Sequence, residues 1–130
     1  NASLLADSQV RRQMLAADLI VPSLDAVTQN LLVKINRPHA NIDIESIVNG
    51  LALLRKEFRG KIWLEVMLVK GVNDDIRHIR KLKEVIERIN PDKIQLNSPV
   101  RTTAEGNILP VNKNKLKRIK EIMGEKAEIV

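Results

Sequence analysis

The sequence predicts an α/β fold with parallel strands, either part of a βα barrel or a small open sheet. Three observations carry this. Short apolar runs begin near residues 18, 62, 93 and 127, about 30–45 residues apart, which is the length of a βαβ unit. The stretches between them carry apolar residues at helical spacing. Polar residues gather where the apolar runs end, and in parallel sheets that end binds ligands. No repeat, low-complexity segment or linker divides the chain, so residues 1–130 read as a single domain.

In chain order, residues 7–17 predict a helix, with Asp7 or Ser8 as cap and Val10, Met14 and Leu15 as its stripe. Residues 18–21 read as a short strand leading into Pro22-Ser23-Leu24-Asp25. Leu19, Val21, Ser23 and Asp25 share one parity. Asp25 can also cap a helix over 26–35. Pro38 breaks that helix, because the residue before a proline disfavours the helical region. A longer helix follows over 43–58. Asp43 is its N-cap, and Ile44, Ile47, Val48, Leu51, Leu54 and Phe58 recur at three- and four-residue steps.

The run from residue 62 is the centre of the pattern. It reads as a strand buried on both faces, with Ile62, Leu64, Val66 and Leu68 on one side. Trp63, Glu65, Met67 and Val69 take the other. An ionised Glu65 buried without a partner costs several kcal/mol, roughly the penalty of an unpaired polar group. A cation, a donor or a ligand must therefore meet it. The run enters a Lys70-Gly71 turn with Asn73, and Asp74 or Asp75 caps a helix to about residue 89. Ile76, Ile79, Leu82, Val85, Ile86 and Ile89 make its stripe, which leaves His78 and the basic residues on a polar face. Residues 93–97 form a strand, with Ile94 and Leu96 opposite Gln95 and Asn97. Residues 98–110 read as a loop. A basic helix over 112–123 ends at Gly124, and 127–130 begins another strand.

Composition narrows the function. There is no cysteine, so this chain supplies no disulfide, thiolate nucleophile or cysteine-ligated metal. No apolar run approaches the roughly 20 residues that span a bilayer, and no signal peptide is visible, which points to the cytoplasm and away from membranes. The first residue is Asn1, so residues are expected to precede it. A net charge of +6 favours anionic partners such as RNA or another anionic substrate. One Trp, one Phe and no Tyr leave almost no base-stacking platform, so backbone contact is the expected mode. A solvated Lys/Glu-rich surface is the plainer reading of the same charges.

Ser23, Asp25, Glu65, Asn73, Gln95 and Asn97 all fall at strand ends, and together they outline a site. Each has a plainer reading. Asp25 can be only a cap, Glu65 can pair with a lysine, and Lys70-Gly71 can be only a turn. His39 and His78 have no companion at ligand spacing, so no metal site is expected. No GxSxG, GxGxxG or Walker-type glycine run occurs. Basic residues over 113–120 read as a solvated face or a phosphate-contact surface.

Five segments occur in a familiar order: PSLDA (22–26), KINRP (34–38), LALLRKEF (51–58), LVKGVND (68–74) and QLNSPVR (95–101). With NASLL at the start, they resemble the later part of the radical S-adenosylmethionine (SAM) barrel. The similarity is greatest to the iron–sulfur oxidoreductases of the tRNA wyosine-synthesis branch. The resemblance implies a partial (β/α) TIM-like barrel with parallel strands. It implies SAM as cofactor, reduced by a [4Fe–4S] cluster to a hydrogen-abstracting 5′-deoxyadenosyl radical, and tRNA modification as a setting. The cluster is held by CxxxCxxC, which this chain lacks. The chain is therefore expected to be a fragment, inactive alone and dependent on a missing N-terminal cluster-binding part.

The family's site residues carry over by position. Asn1 falls near the methionine moiety, and Ser23 and Asp25 near the ribose or amino-acid portion. Glu65 and Met67 line the cavity toward the adenosyl group. Asn97, Pro99 and Val100 fall at the adenine. Lys70, Asn73 and Arg101 fall to the substrate. A partial barrel leaves open edges, so self-association through them is expected.

Overall fold

The central run becomes the strand from which the sheet grows on both sides. The computed structural model describes residues 4–36, 43–103 and 106–130. Its main sheet has four strands in the order β1 (Leu19–Ile20), β2 (Lys61–Met67), β3 (Lys93–Asn97) and β6 (Ala127–Ile129). Every pairing in it is parallel. Helices α2 (Gln29–Asn36) and α3 (Ile44–Glu57) connect β1 to β2, and α4 (Ile76–Ile89) connects β2 to β3. A hairpin, β4 (Arg101–Thr103) with β5 (Gly106–Ile108), and α5 (Lys113–Met123) connect β3 to β6. Helix α1 (Ser8–Met14) precedes the sheet.

Ile62, Leu64, Val66, Ile94, Leu96 and Ala127 share one buried cluster with the stripes of α3, α4 and α5. The first five are the even-parity residues of β2 and β3, and Ala127 of β6 pairs with Ile94, so the helices cover one face of the sheet. The expectation that β2 is buried on both faces is overturned. Its odd-parity residues Trp63, Glu65 and Met67 are only half-buried, because no helix lies over them.

The helix starts follow the caps. The Asp43 carboxylate accepts from the Ser46 N–H, Asp75 from Arg77 and Asn112 from Lys115. Asn90 ends α4 in the left-handed region, before Pro91. Asp25 does not cap α2, which starts at Gln29, later than the sequence suggests. Helix α1 ends at Met14 instead of 17. The stretch read as a loop over 98–110 contains the β4–β5 hairpin. Its neck is closed by Ser98, whose Oγ donates to the Leu68 carbonyl and accepts from the Val111 N–H, both at 2.8 Å.

Two polar clamps fix the remaining parts. Buried Arg11 pairs with Glu57 on α3 at 3.1 Å and donates to the Leu5 and Ala6 carbonyls. At the start of β2, Asp92 accepts from the Ile62 N–H at 2.8 Å and from Arg55 at 3.0 Å. The Ile62 bond, then Arg55, holds the Asp92 carboxyl below its ordinary range. Among the described residues, no helix is long and apolar enough to cross a membrane.

Candidate functional site

The uncovered face of the sheet is read row by row from the register. Ser23, just beyond β1, bridges Glu65, Glu65 pairs with Gln95, and Gln95 pairs with Glu128, so these four form one row that crosses β2, β3 and β6. One rung toward the C-terminal ends, Met67 pairs with Asn97. One rung the other way, Trp63 pairs with Lys93. By register, all of these side chains lie on the face that the helices leave open.

Partners within this face separate framework from free groups. Lys93 Nζ lies 4.3 Å from the Trp63 ring centre and 3.5 Å from Glu128. Gln95 leans on Glu128 at 3.4 Å. The lysine available to neutralise Glu65 is thus engaged elsewhere. The carboxylate of Glu65 and the amide of Asn97 have no hydrogen-bond or ion-pair partner among the described residues, although both are half-buried. A half-buried carboxylate and amide, on adjacent strands and in successive rows, suit a ligand that offers cationic or hydroxyl donors and a hydrogen-bonding heterocycle edge.

Above this face, at the strand ends, a buried polar knot joins the β1–α2 loop to the turn after β2. Asp25 Oδ1 accepts from the Met67 N–H at 2.7 Å. Asn73 is fully buried and engages three backbone groups. Its Nδ2 donates to the carbonyls of Asp25 and Met67, and its Oδ1 accepts from the Val69 N–H. His78 completes the knot. Its Nε2 accepts from the Val27 N–H at 3.3 Å, so Nδ1 carries the proton and donates to the Asn73 carbonyl at 3.1 Å. Burial pushes the His78 pKa below its ordinary value, against the Asn73 bond that would raise it.

Two expectations are corrected here. Asn73 does not reach a substrate, because its amide is fully used by the backbone. His78 is not on a polar helix face but inside. The spacing 78, 82, 85, 89 was its signal, since it continues the apolar stripe of α4. The other expected residues are dispersed along the rim. Lys70, Pro99 and Val100 are exposed, and Asp74 accepts from the Gly71 N–H and pairs with Lys115 at 3.2 Å. Arg101 lies at the start of β4, and Asn1 lies outside the described residues. Two cavities, of about 350 Å³ between α4, α5 and the start of β3 and about 300 Å³ between α3 and α4, include none of the expected site residues. Among the described residues, no three His, Cys, Asp or Glu side chains form a metal-binding group.

Solved structures with this arrangement exist. A domain of the pyruvate-formate lyase-activating enzyme from Bacteroides vulgatus matches 99% of this chain and 78% of its own, with a TM-score of 0.79 and 16% identity. A radical SAM methyltransferase from Sphaerobacter thermophilus matches 100% of this chain and 38% of its own, with a TM-score of 0.75 and 18% identity. The chain has the radical SAM barrel fold, in part.

The chain is also similar in sequence to several curated proteins. A UPF0026 protein of Methanocaldococcus jannaschii is 30% identical over 125 residues, 96% of this chain and 39% of the relative. A probable dual-specificity RNA methyltransferase RlmN of Thermotoga maritima is 32% identical over 101 residues, 75% of this chain and 28% of the relative. GTPase Obg of Brachyspira hyodysenteriae is 35% identical over 121 residues, 93% of this chain but 18% of the relative. The chain thus spans well under half the length of these curated relatives. No family model matches the chain.

Proposed function

We propose that this chain is the SAM- and substrate-binding half of a radical SAM iron–sulfur oxidoreductase working in the cytoplasm. The observation that carries this reading is the pair of unpartnered polar groups, Glu65 and Asn97, on the open face of a radical SAM barrel sheet. Glu65 is suited to the ribose hydroxyls or ammonium group of SAM, and Asn97 to the adenine edge. Ser23 and Met67 flank them, and Asp25 fixes the end of β2 through the Met67 N–H. When SAM is bound beside a reduced cluster, it supplies hydrogen-atom abstraction.

The residues present do not fit the cluster. A [4Fe–4S] centre needs thiolates, and the chain has no cysteine. The ligands must come from other polypeptide, and the chain alone is inactive on this reading. The relative named as a GTPase does not change it, because this chain has no G-x-x-x-x-G-K-[ST] run to cradle phosphates.

The test is SAM binding by titration calorimetry. Glu65→Gln and Asn97→Ala are each expected to weaken it by about tenfold, the size of one charge-assisted or well-placed hydrogen bond. Unchanged affinity in both would remove the site. After incubation with iron and sulfide, this chain is expected to show no cluster absorbance.

A specific observation favours a second role for the same protein. Arg77, Arg80 and Lys81 on α4 are exposed without an ion-pair partner among the described residues, as are Lys113, Lys117 and Arg118 on α5. Neither helix has an acidic residue in its first turn. This surface suits a phosphodiester backbone, and RNA is the anionic substrate proposed. Binding that does not weaken between low and moderate salt would count against it.

A further inference from the structure

The polar knot behind the rim contains one imidazole, and its hydrogen bonds cross between two elements that carry site residues. We propose that His78 is a positioning residue that fastens the Val27 end of the β1–α2 loop to the turn after β2, and that only its neutral form does so. The inference rests on the SAM-site reading for its effect on a ligand, but not for its effect on the loop.

The geometry sets the tautomer. Val27 presents an N–H to Nε2, so Nε2 must keep its lone pair. Nδ1 faces a carbonyl, that of Asn73, and must carry the proton. Asn73 in turn binds the Asp25 carbonyl and the end of β2. A chain of hydrogen bonds therefore runs from Val27 through His78 and Asn73 back to Asp25, closing the loop at both ends. Adding a proton to Nε2 sets two donors face to face. The Val27 bond is then lost, and the loop keeps its Asn73 and Met67 attachments and the backbone bonds of Pro22 and Leu24 to Glu65.

The charges around His78 do not rescue the protonated form. On its own helix, Asp75 favours the cation and Lys81 opposes it, while burial is the largest influence and disfavours it. In the turn before α4, Asp74 is already paired with Lys115 of α5. In the β1–α2 loop, the Asp25 carboxylate is bonded to the Met67 N–H. On the α3 side, Glu45 lines the cavity beside Val27 together with Arg88. No acid touches the imidazole ring among the described residues.

The experiment uses the isotopically labelled 130-residue chain and follows the His78 ring nitrogens and the amide protection of Val27 by NMR. As pH falls through the titration of the His78 ring, the Nδ1–H tautomer is expected to give way to the cation and Val27 protection to be lost in step with it. In His78→Gln, which accepts a hydrogen bond but does not titrate, Val27 protection is expected to lose this pH dependence. An Nε2–H tautomer at high pH would overturn the proposal. So would Val27 protection that stays constant while the wild-type ring takes up its proton. SAM affinity, measured alongside, is expected to fall with the loop. If SAM does not bind at all while Val27 behaves as described, the site reading fails and the role of His78 stands.

Discussion

At the level of single residues, the chain separates polar groups that build the rim from those left for a ligand. Asn73 belongs to the first kind. Its amide meets three backbone groups in a fully buried position, and Asn73→Ala removes all three of these bonds. The expected loss is on the order of 3 kcal/mol or more, since each buried unsatisfied group costs about 1–3 kcal/mol. Chemical denaturation measures this, and a loss below about 1 kcal/mol would show that the knot does not hold. Asp92 gives a pH test. Its folded pKa lies below the unfolded one, so its stabilisation is complete above the unfolded value and disappears as pH falls through the folded value. Stability is expected to decline below about pH 4, with a shallower decline in Asp92→Asn. His78 has the same direction of shift but is a base. Its penalty begins as pH falls through its unfolded value near 6.5, so an earlier, separate decline is expected there.

The elements are held by close backbone approach as much as by side chains. Gly50 sits in α3 where the N-terminal segment crosses. A Cβ there would lie 2.5 Å from the Leu5 carbonyl carbon and 2.7 Å from the Ala6 nitrogen. Alanine favours a helix over glycine by about 1 kcal/mol, but here it must displace backbone. Gly50→Ala is therefore expected to destabilise by about 1–3 kcal/mol, the range for overpacking. A thermal melt that rises would refute the close approach. Arg11 secures the same segment through the Leu5 and Ala6 carbonyls, and its pair with Glu57 places α1 on α3. The hairpin after β3 is closed in the same way by one hydroxyl, Ser98, which also ties that neck to the end of β2.

For the whole molecule, the main consequence is an unbalanced sheet. Helices cover one face, the other remains half-exposed, and among the described residues β1 and β6 each pair on one side only. Leu19, Val21, Ile129 and Val130 are exposed at these borders. Unpaired strand edges recruit further strands. Concentration-dependent association is expected, and light scattering that reads one mass across the accessible range would argue against it. The net charge of +6 opposes self-association. Added salt is therefore expected to promote it while weakening any binding of RNA.

Periodicity and turn chemistry made much of this readable in advance. The even-parity apolar residues of β2 and β3, the stripes of α3, α4 and α5 and the caps at Asp43 and Asp75 are local features, and local rules suffice for them. The polar residues of the open face were legible as well, because parity alone places Ser23, Glu65 and Asn97 on one side of parallel strands. What the sequence could not decide was which polar groups the fold would use up. Asn73 and Glu65 look alike as polar residues near one strand end. Only the approach of the β1–α2 loop to the β2 terminus consumes the hydrogen bonds of the first, and only the turning of Lys93 toward Trp63 and Glu128 leaves the second without a partner. Those are contacts between residues distant in the chain, and their energies depend on how the layers pack.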